Sequence, residues 1–125
     1  MARKEISAKD VAAAGPYSQG IDADGLVFMS GQAAVDGKTG KLIEGDVKAQ
    51  TEQVFKNLFA VLEAAGLTPD HVQKANVYLI DMNDFAAMHE VYKTKFNPPY
   101  PTRTTVGVAS LPMGASVEIE FIAKR

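Results

Sequence analysis

The chain has 125 residues, 46% of them apolar, which suits one compact domain and leaves no room for a second. Its 13 basic and 15 acidic residues give a formal net charge of −2 with no long run of one sign, so neither a nucleic-acid partner nor an anionic membrane is expected. Cysteine is absent, which excludes disulfides, thiolate nucleophiles and cysteine zinc sites; His71 and His89 lack metalloprotease spacing, and no metal is expected.

The N-terminal stretch MARKEISAKD is charged and has no apolar centre, so no signal peptide or membrane anchor is read there and a cytoplasmic location is expected. Residues 4–7 suit a short strand, and residues 9–15 an Ala-rich turn that Gly15-Pro16 breaks. After GPYSQG, the stretch IDADG between Gly20 and Gly25 is turn-prone. The apolar run LVFM at 26–29 then reads as a buried strand ending at Ser30-Gly31, and the whole as a hairpin.

Asp36-Gly37 and Thr39-Gly40 mark a further tight turn. From residue 46 to 65 the period changes. Val47, Val54, Leu58, Val61, Leu62 and Ala65 form a helical stripe, with Asp46 placed to cap it and Gly66 to stop it. Thr68-Pro69-Asp70 starts a turn into an apolar, β-rich strand at 74–80. A second helix is expected from about 83 to 96, with Phe85, Met88, Tyr92 and Phe96 on one buried face, before Asn97-Pro98-Pro99 forbids continuation.

Strands at 105–109 and 117–123 follow, separated by a turn at 111–114. In the last strand Val117, Ile119 and Phe121 share one face while Glu118 and Glu120 share the other. About six strands and two helices make an α+β layer in which the helices cover only one side of the sheet. The runs at 26–29 and 77–80 are apolar without alternation and so offer apolar groups to the bare side as well. A second copy of the chain is the simplest cover, which predicts self-association and a site between subunits.

Arg103 follows a proline-bound turn and presents a rigid fork of donors suited to a small organic acid; the other reading is a surface arginine or an ion pair with Glu118 or Glu120. Either glutamate can orient or deprotonate a water, against the simpler reading of a solvated strand face. Tyr17 and Ser30 carry hydroxyls beside Gly15 and Gly31, where a ligand can approach the backbone closely. His89 stands at the helix edge, where a neutral imidazole can bond a ligand. No serine nucleophile elbow, phosphate loop or dinucleotide fingerprint occurs, which argues against triad chemistry and nucleotide cofactors.

Over nearly its whole length the chain resembles the RidA (YjgF/L-PSP, reactive intermediate deaminase) family. The resemblance rests on GPYSQG at 15–20, SGQ at 30–32, EAAGL at 63–67, NDF at 83–85, PTRTTVGVASLP at 101–112 and VEIEFIA at 117–123, in order and at near-constant spacing. It implies a chorismate-mutase-like α+β fold, a homotrimer with clefts between subunits, and hydrolysis of 2-imino and enamino acids of the 2-aminoacrylate and 2-aminocrotonate class to 2-oxo acids and ammonia. No cofactor is implied. By the same resemblance Arg103 holds the ligand carboxylate, Glu118 stands near the water, and Tyr17 and Ser30 line a substrate pocket to which Gly31, His89 and Thr105 are also assigned.

Two positions depart from the family pattern. His89 stands where an asparagine is common and Thr105 where a cysteine is common, and both bear on substrate preference. The rival readings are a non-catalytic binder of 2-oxo acids, a ribonuclease or translation inhibitor, against which the acidic balance counts, and a chaperone-like role.

Overall fold

The computed structural model describes residues 2–13 and 15–125; Met1 of the charged N-terminal stretch and Ala14 of the Ala-rich turn lie outside the described residues. The strands are β1 (Lys4–Ile6), β2 (Gly20–Ala23), β3 (Leu26–Met29), β4 (Val72–Leu79), β5 (Thr102–Gly107) and β6 (Val117–Lys124), with helices α1 (Val47–Ala64) and α2 (Phe85–Tyr92). They build one six-stranded sheet in the order β1-β2-β3-β6-β4-β5, with β4 and β5 parallel and the other pairs antiparallel. The expected mixed sheet with two helices on one face is therefore what forms.

Local chemistry accounts for the elements. The β2–β3 hairpin turns at Asp24 and Gly25, both at positive φ, as the two-residue turn matched to strand twist requires. The turn is confined to those two residues, and the rest of the stretch expected to be a turn is strand β2. Asp46 caps α1 by accepting from the Ala49 N–H, and at the other end Leu67 donates to Leu62 and Gly66, at φ 75°, to Glu63, closing the helix where expected.

Three elements differ in their bounds from the expectation, beginning with β4, which spans 72–79 rather than 74–80. Helix α2 stops at Tyr92 rather than 96: Lys95 donates to the Tyr92 carbonyl and Thr94 Oγ1 to that of Val91, so the chain tightens into turns that still deliver Phe96 to the core. Strand β5 spans 102–107 rather than 105–109, because it pairs with β4 from Lys74↔Thr102 to Leu79↔Gly107. Arg103 thus lies inside an edge strand and not before it.

The core lies between the helices and one sheet face. Val27, Ala75, Val77, Leu79, Val117, Ile119, Phe121 and Ala123 point inward from the strands and are fully buried or nearly so. The stripe read on α1 packs on them. Phe55, which that stripe omitted, is the aromatic hub, with ring centroids 5.5 Å from Phe59, 5.7 Å from Tyr92 and 5.9 Å from Phe96. The opposite face is bare in the isolated chain. Leu26 and Phe28 are 38% and 45% exposed while their neighbours Val27 and Met29 are buried, as the non-alternating apolar run implied.

Three buried amides tie loops to this frame. Gln19 bonds Ala8 and Val11, Asn57 donates to the carbonyls of Ala33 and Val35, and Gln50 accepts from the Ser116 N–H. Gly37 completes the tie, since a Cβ there would sit 1.9 Å from the Asp10 carbonyl oxygen, a backbone atom. Gly37→Ala should destabilise the protein by about 1–3 kcal/mol through this overlap, read as a lowered urea midpoint at unchanged slope.

Candidate active site

The register of β4 with β5 puts Arg103 beside Ala75, on the helix side of the sheet. There its side chain meets three residues of α2 spaced i, i+4, i+7, which share one helix face: Phe85, His89 and Tyr92. The guanidinium carbon lies 4.6 Å from the Tyr92 ring centre and 5.4 Å from that of Phe85, and Nη1 lies 3.0 Å from His89 Nδ1. The His89 ring in turn stacks on Phe85 at 5.8 Å and 10°. Arg103, His89 and Tyr92 floor a cavity of about 410 Å³ completed by Lys93, Tyr100 and Pro101.

This cavity has an excess of donors. No acidic side chain among the described residues forms an ion pair with Arg103. The Tyr92 hydroxyl, on a residue 5% exposed, has no hydrogen-bond partner. Burial raises the Tyr92 phenol above its ordinary range, with the Arg103 charge working the other way. A half-buried cation and an unsatisfied hydroxyl together are complementary to a carboxylate.

The register of β6 puts the glutamates on the opposite face, Glu118 beside Tyr78 and Glu120 beside Asn76. The internal ion pair between Arg103 and either glutamate, one reading open from sequence, is therefore not formed: the sheet separates them. The two glutamates are also distinguished. Glu120 accepts from Asn76 and, through a short hydrogen bond, from the Tyr78 hydroxyl, which pushes the Tyr78 phenol up to about 12. Glu118 accepts no hydrogen bond from the described residues, and burial, then the charge of Glu120, raises its pKa.

Glu118 lines a cavity of about 850 Å³, with Tyr17, Gly31, Gln32, Pro112 and Met113 among its other walls. Gly31 makes room for it, since a Cβ there would fall 2.6 Å from Glu118 Oε2. Tyr17 is half exposed and also lines an adjoining cavity of about 530 Å³ with Ser30. The Ser30 hydroxyl donates to the Ser18 carbonyl at 2.6 Å, so its proton holds the GPYSQG loop and its lone pairs stay free to accept. Thr105 lies two residues beyond Arg103 on the helix face, its buried Oγ1 without a partner.

The residues expected in one pocket thus fall into two groups in a single chain. Arg103 and His89 share one cavity; Tyr17, Ser30, Gly31 and Glu118 line others that hold neither. Phe85 and Tyr92, which bracket Arg103, were read from their spacing only as core, and that spacing was the signal that placed them beside His89. Among the described residues there is no cluster of three or more side chains able to hold a metal ion, and no helix is long and apolar enough to cross a membrane.

With this geometry in hand, the family described as Endoribonuclease L-PSP matches residues 7–125. The chain belongs to it. A mouse member named 2-iminobutanoate/2-iminopropanoate deaminase is 46% identical over 97% of this chain and 90% of its own length. The crystal structure of RidA from the Antarctic bacterium Psychrobacter sp. superposes with a TM-score of 0.93 at 46% identity, covering 98% of this chain and 100% of that one. The TdcF structure from E. coli, solved with bound serine, gives 0.91 at 43% identity over 98% of both chains. This chain is thus an L-PSP family member whose sheet carries Arg103 on one face and Glu118 and Glu120 on the other.

The raised pKa of Glu118 has a separable second cause. Glu120→Gln keeps an oxygen for Tyr78 and Asn76 but removes the neighbouring charge, so the Glu118 titration should move down towards the ordinary glutamate range. Burial should keep it from arriving there. Carboxyl 13C chemical shifts followed against pH read both positions.

Proposed function

We propose that this protein hydrolyses 2-imino acids, with their enamine tautomers, to 2-oxo acids and ammonia, in clefts between the subunits of a homotrimer. The observation that carries the reading is Arg103: a permanently charged fork, held by aromatic rings, with no carboxylate paired to it among the described residues. A ligand carboxylate supplies that partner. The activity for which the mouse relative is named and the serine bound to the E. coli relative agree with an α-amino-acid-like ligand of this size.

Arg103 pairs with the substrate carboxylate and fixes the adjacent C=N carbon. Glu118 of the neighbouring copy accepts a hydrogen bond from water and aims its oxygen at that carbon, while Tyr17 and Ser30 of the same copy line the pocket. Water adds its oxygen to carbon and a proton passes to nitrogen, giving a carbinolamine. The C–N bond then breaks, nitrogen leaves as ammonia with a second proton, and the oxygen becomes the 2-oxo group. Enamine substrates first take a proton at C3. Free imines already react with water, so orientation and placed charge are the whole demand and no covalent nucleophile is needed.

The separation of the two groups supports the assembly. Glu118 stands on the apolar open face and Arg103 on the edge strand β5, so a copy whose open face packs at a neighbour's β5 edge brings the two together. Thr105 belongs to the Arg103 side of such a cleft, where its unpartnered hydroxyl gives a ligand one more group to bond.

The test generates 2-aminoacrylate or 2-aminocrotonate with a dehydratase and follows oxo acid and ammonia with and without this protein. Acceleration is expected, and Arg103→Ala should lose roughly 100-fold in kcat/KM, the worth of two hydrogen bonds to a charged group. No acceleration by the intact protein, or full activity in the variant, sinks the mechanism. Ligand binding without ammonia release would instead make the protein a metabolite binder.

A further inference from the structure

His89 touches Arg103 in a way that fixes its own chemistry. A guanidinium nitrogen has only protons to offer, so at 3.0 Å Arg103 Nη1 must donate and His89 Nδ1 must accept. Nδ1 is then unprotonated, and the neutral ring carries its proton on Nε2. Stacking on Phe85 at 10° holds the ring plane so that the Nδ1 lone pair stays on the guanidinium. Nε2 has no protein partner among the described residues, and the ring lines the Arg103 cavity.

We propose that His89 is the positioning residue of Arg103, and that the requirement for an unprotonated Nδ1 makes the grip on a carboxylate weaken as pH falls. Protonation at Nδ1 removes the acceptor and sets two cations against each other at hydrogen-bond distance. The guanidinium keeps its aromatic bracket but loses the contact that sets its rotation about the side-chain axis, and hence the direction of the fork.

The groups facing this ring set the direction. Arg103 approaches it from β5. On its own helix Glu90 is the one carboxylate close by, but Lys93 holds it at 3.0 Å and Lys48 of α1 also acts on it. The Tyr92 phenol, beneath the guanidinium, is raised by burial, and Tyr100 stands at the cavity wall. Among the described residues no carboxylate forms an ion pair with His89.

The inference rests on the deaminase reading only for the identity of the ligand, and its test needs no turnover. Ring nitrogen shifts of 15N-labelled protein identify the tautomer, the His89 signals being those missing in His89→Asn. The Nε2-protonated form is expected alone at neutral pH, and a fraction of the Nδ1-protonated form should appear in Arg103→Ala. An Nδ1-protonated ring or an imidazolium at neutral pH overturns the inference.

Affinity for 2-oxobutanoate, the stable product, gives the second readout. It should fall about tenfold as the wild-type ring protonates, and His89→Leu should be weaker by a similar factor at every pH. His89→Asn keeps an oxygen close to the position of Nδ1. It should bind like the wild type at neutral pH but lack the decline. Equal pH dependence in wild type and His89→Asn, tighter binding at low pH in the wild type, or wild-type affinity in His89→Leu each contradicts the proposal. If 2-oxobutanoate does not bind at all, the tautomer and its dependence on Arg103 decide alone. A pH-gated binder that releases no ammonia would sink the deaminase reading and leave this one standing.

Discussion

The charge on Arg103 cannot be titrated away, and the fold places it half-buried on the helix side of an edge strand with no carboxylate paired to it among the described residues. Such a group is costly to hold unless something offsets its lost hydration. Tyr92 and Phe85 offset part of it through their ring faces, and His89 supplies one acceptor. The remaining donors of the fork are complementary to an anion. Beside them in the α2 cavity stand a buried tyrosine without a hydroxyl partner, a stacked histidine and a lysine paired with Glu90.

The sheet itself explains why the anion is not supplied from within. Side chains alternate across a strand, so a residue paired with Ala75 and one paired with Tyr78 must face opposite ways. Arg103 and Glu118 obey that rule, and no rearrangement of side chains can join them through the sheet. Their separation is thus a property of the register. It also prevents the glutamate from quenching the arginine, which keeps both free for a ligand. Glu120, one position along the same face, is instead held by Tyr78 and Asn76, and this separates the roles of two carboxylates that share a strand.

Much of this was legible in the residues. The stripe on α1 and its capping Asp46 gave the helix to within a residue at each end, because capping and periodicity are local. The alternation in β6 placed both glutamates on one face, and the continuous apolar run of β3 told of two apolar faces. The starts of β4 and β5 were read too late in the chain, since β4 begins where Val72 pairs with Ala123 of β6 and β5 where Thr102 pairs with Lys74, pairings between distant segments that no local pattern encodes. For the same reason Arg103 read as lying before a strand. The choice between Glu118 and Glu120 needed the partners of Glu120 and the space left by Gly31, both of them facts of packing. The Arg103–His89 bond was hidden in a helix that looked like core on one side and polar edge on the other.

The account turns on a site completed only between copies, with Arg103 from one and Glu118 from another. Arg103→Ala and Glu118→Gln proteins, each inactive alone, can be mixed, dissociated and reassembled, and imine-dependent ammonia release measured. Random reassembly should restore about one quarter of the sites, because a cleft is intact when the arginine comes from one variant and the glutamate from the other. A mixture as inactive as its components, while the reassembled wild type recovers fully, would contradict the shared site.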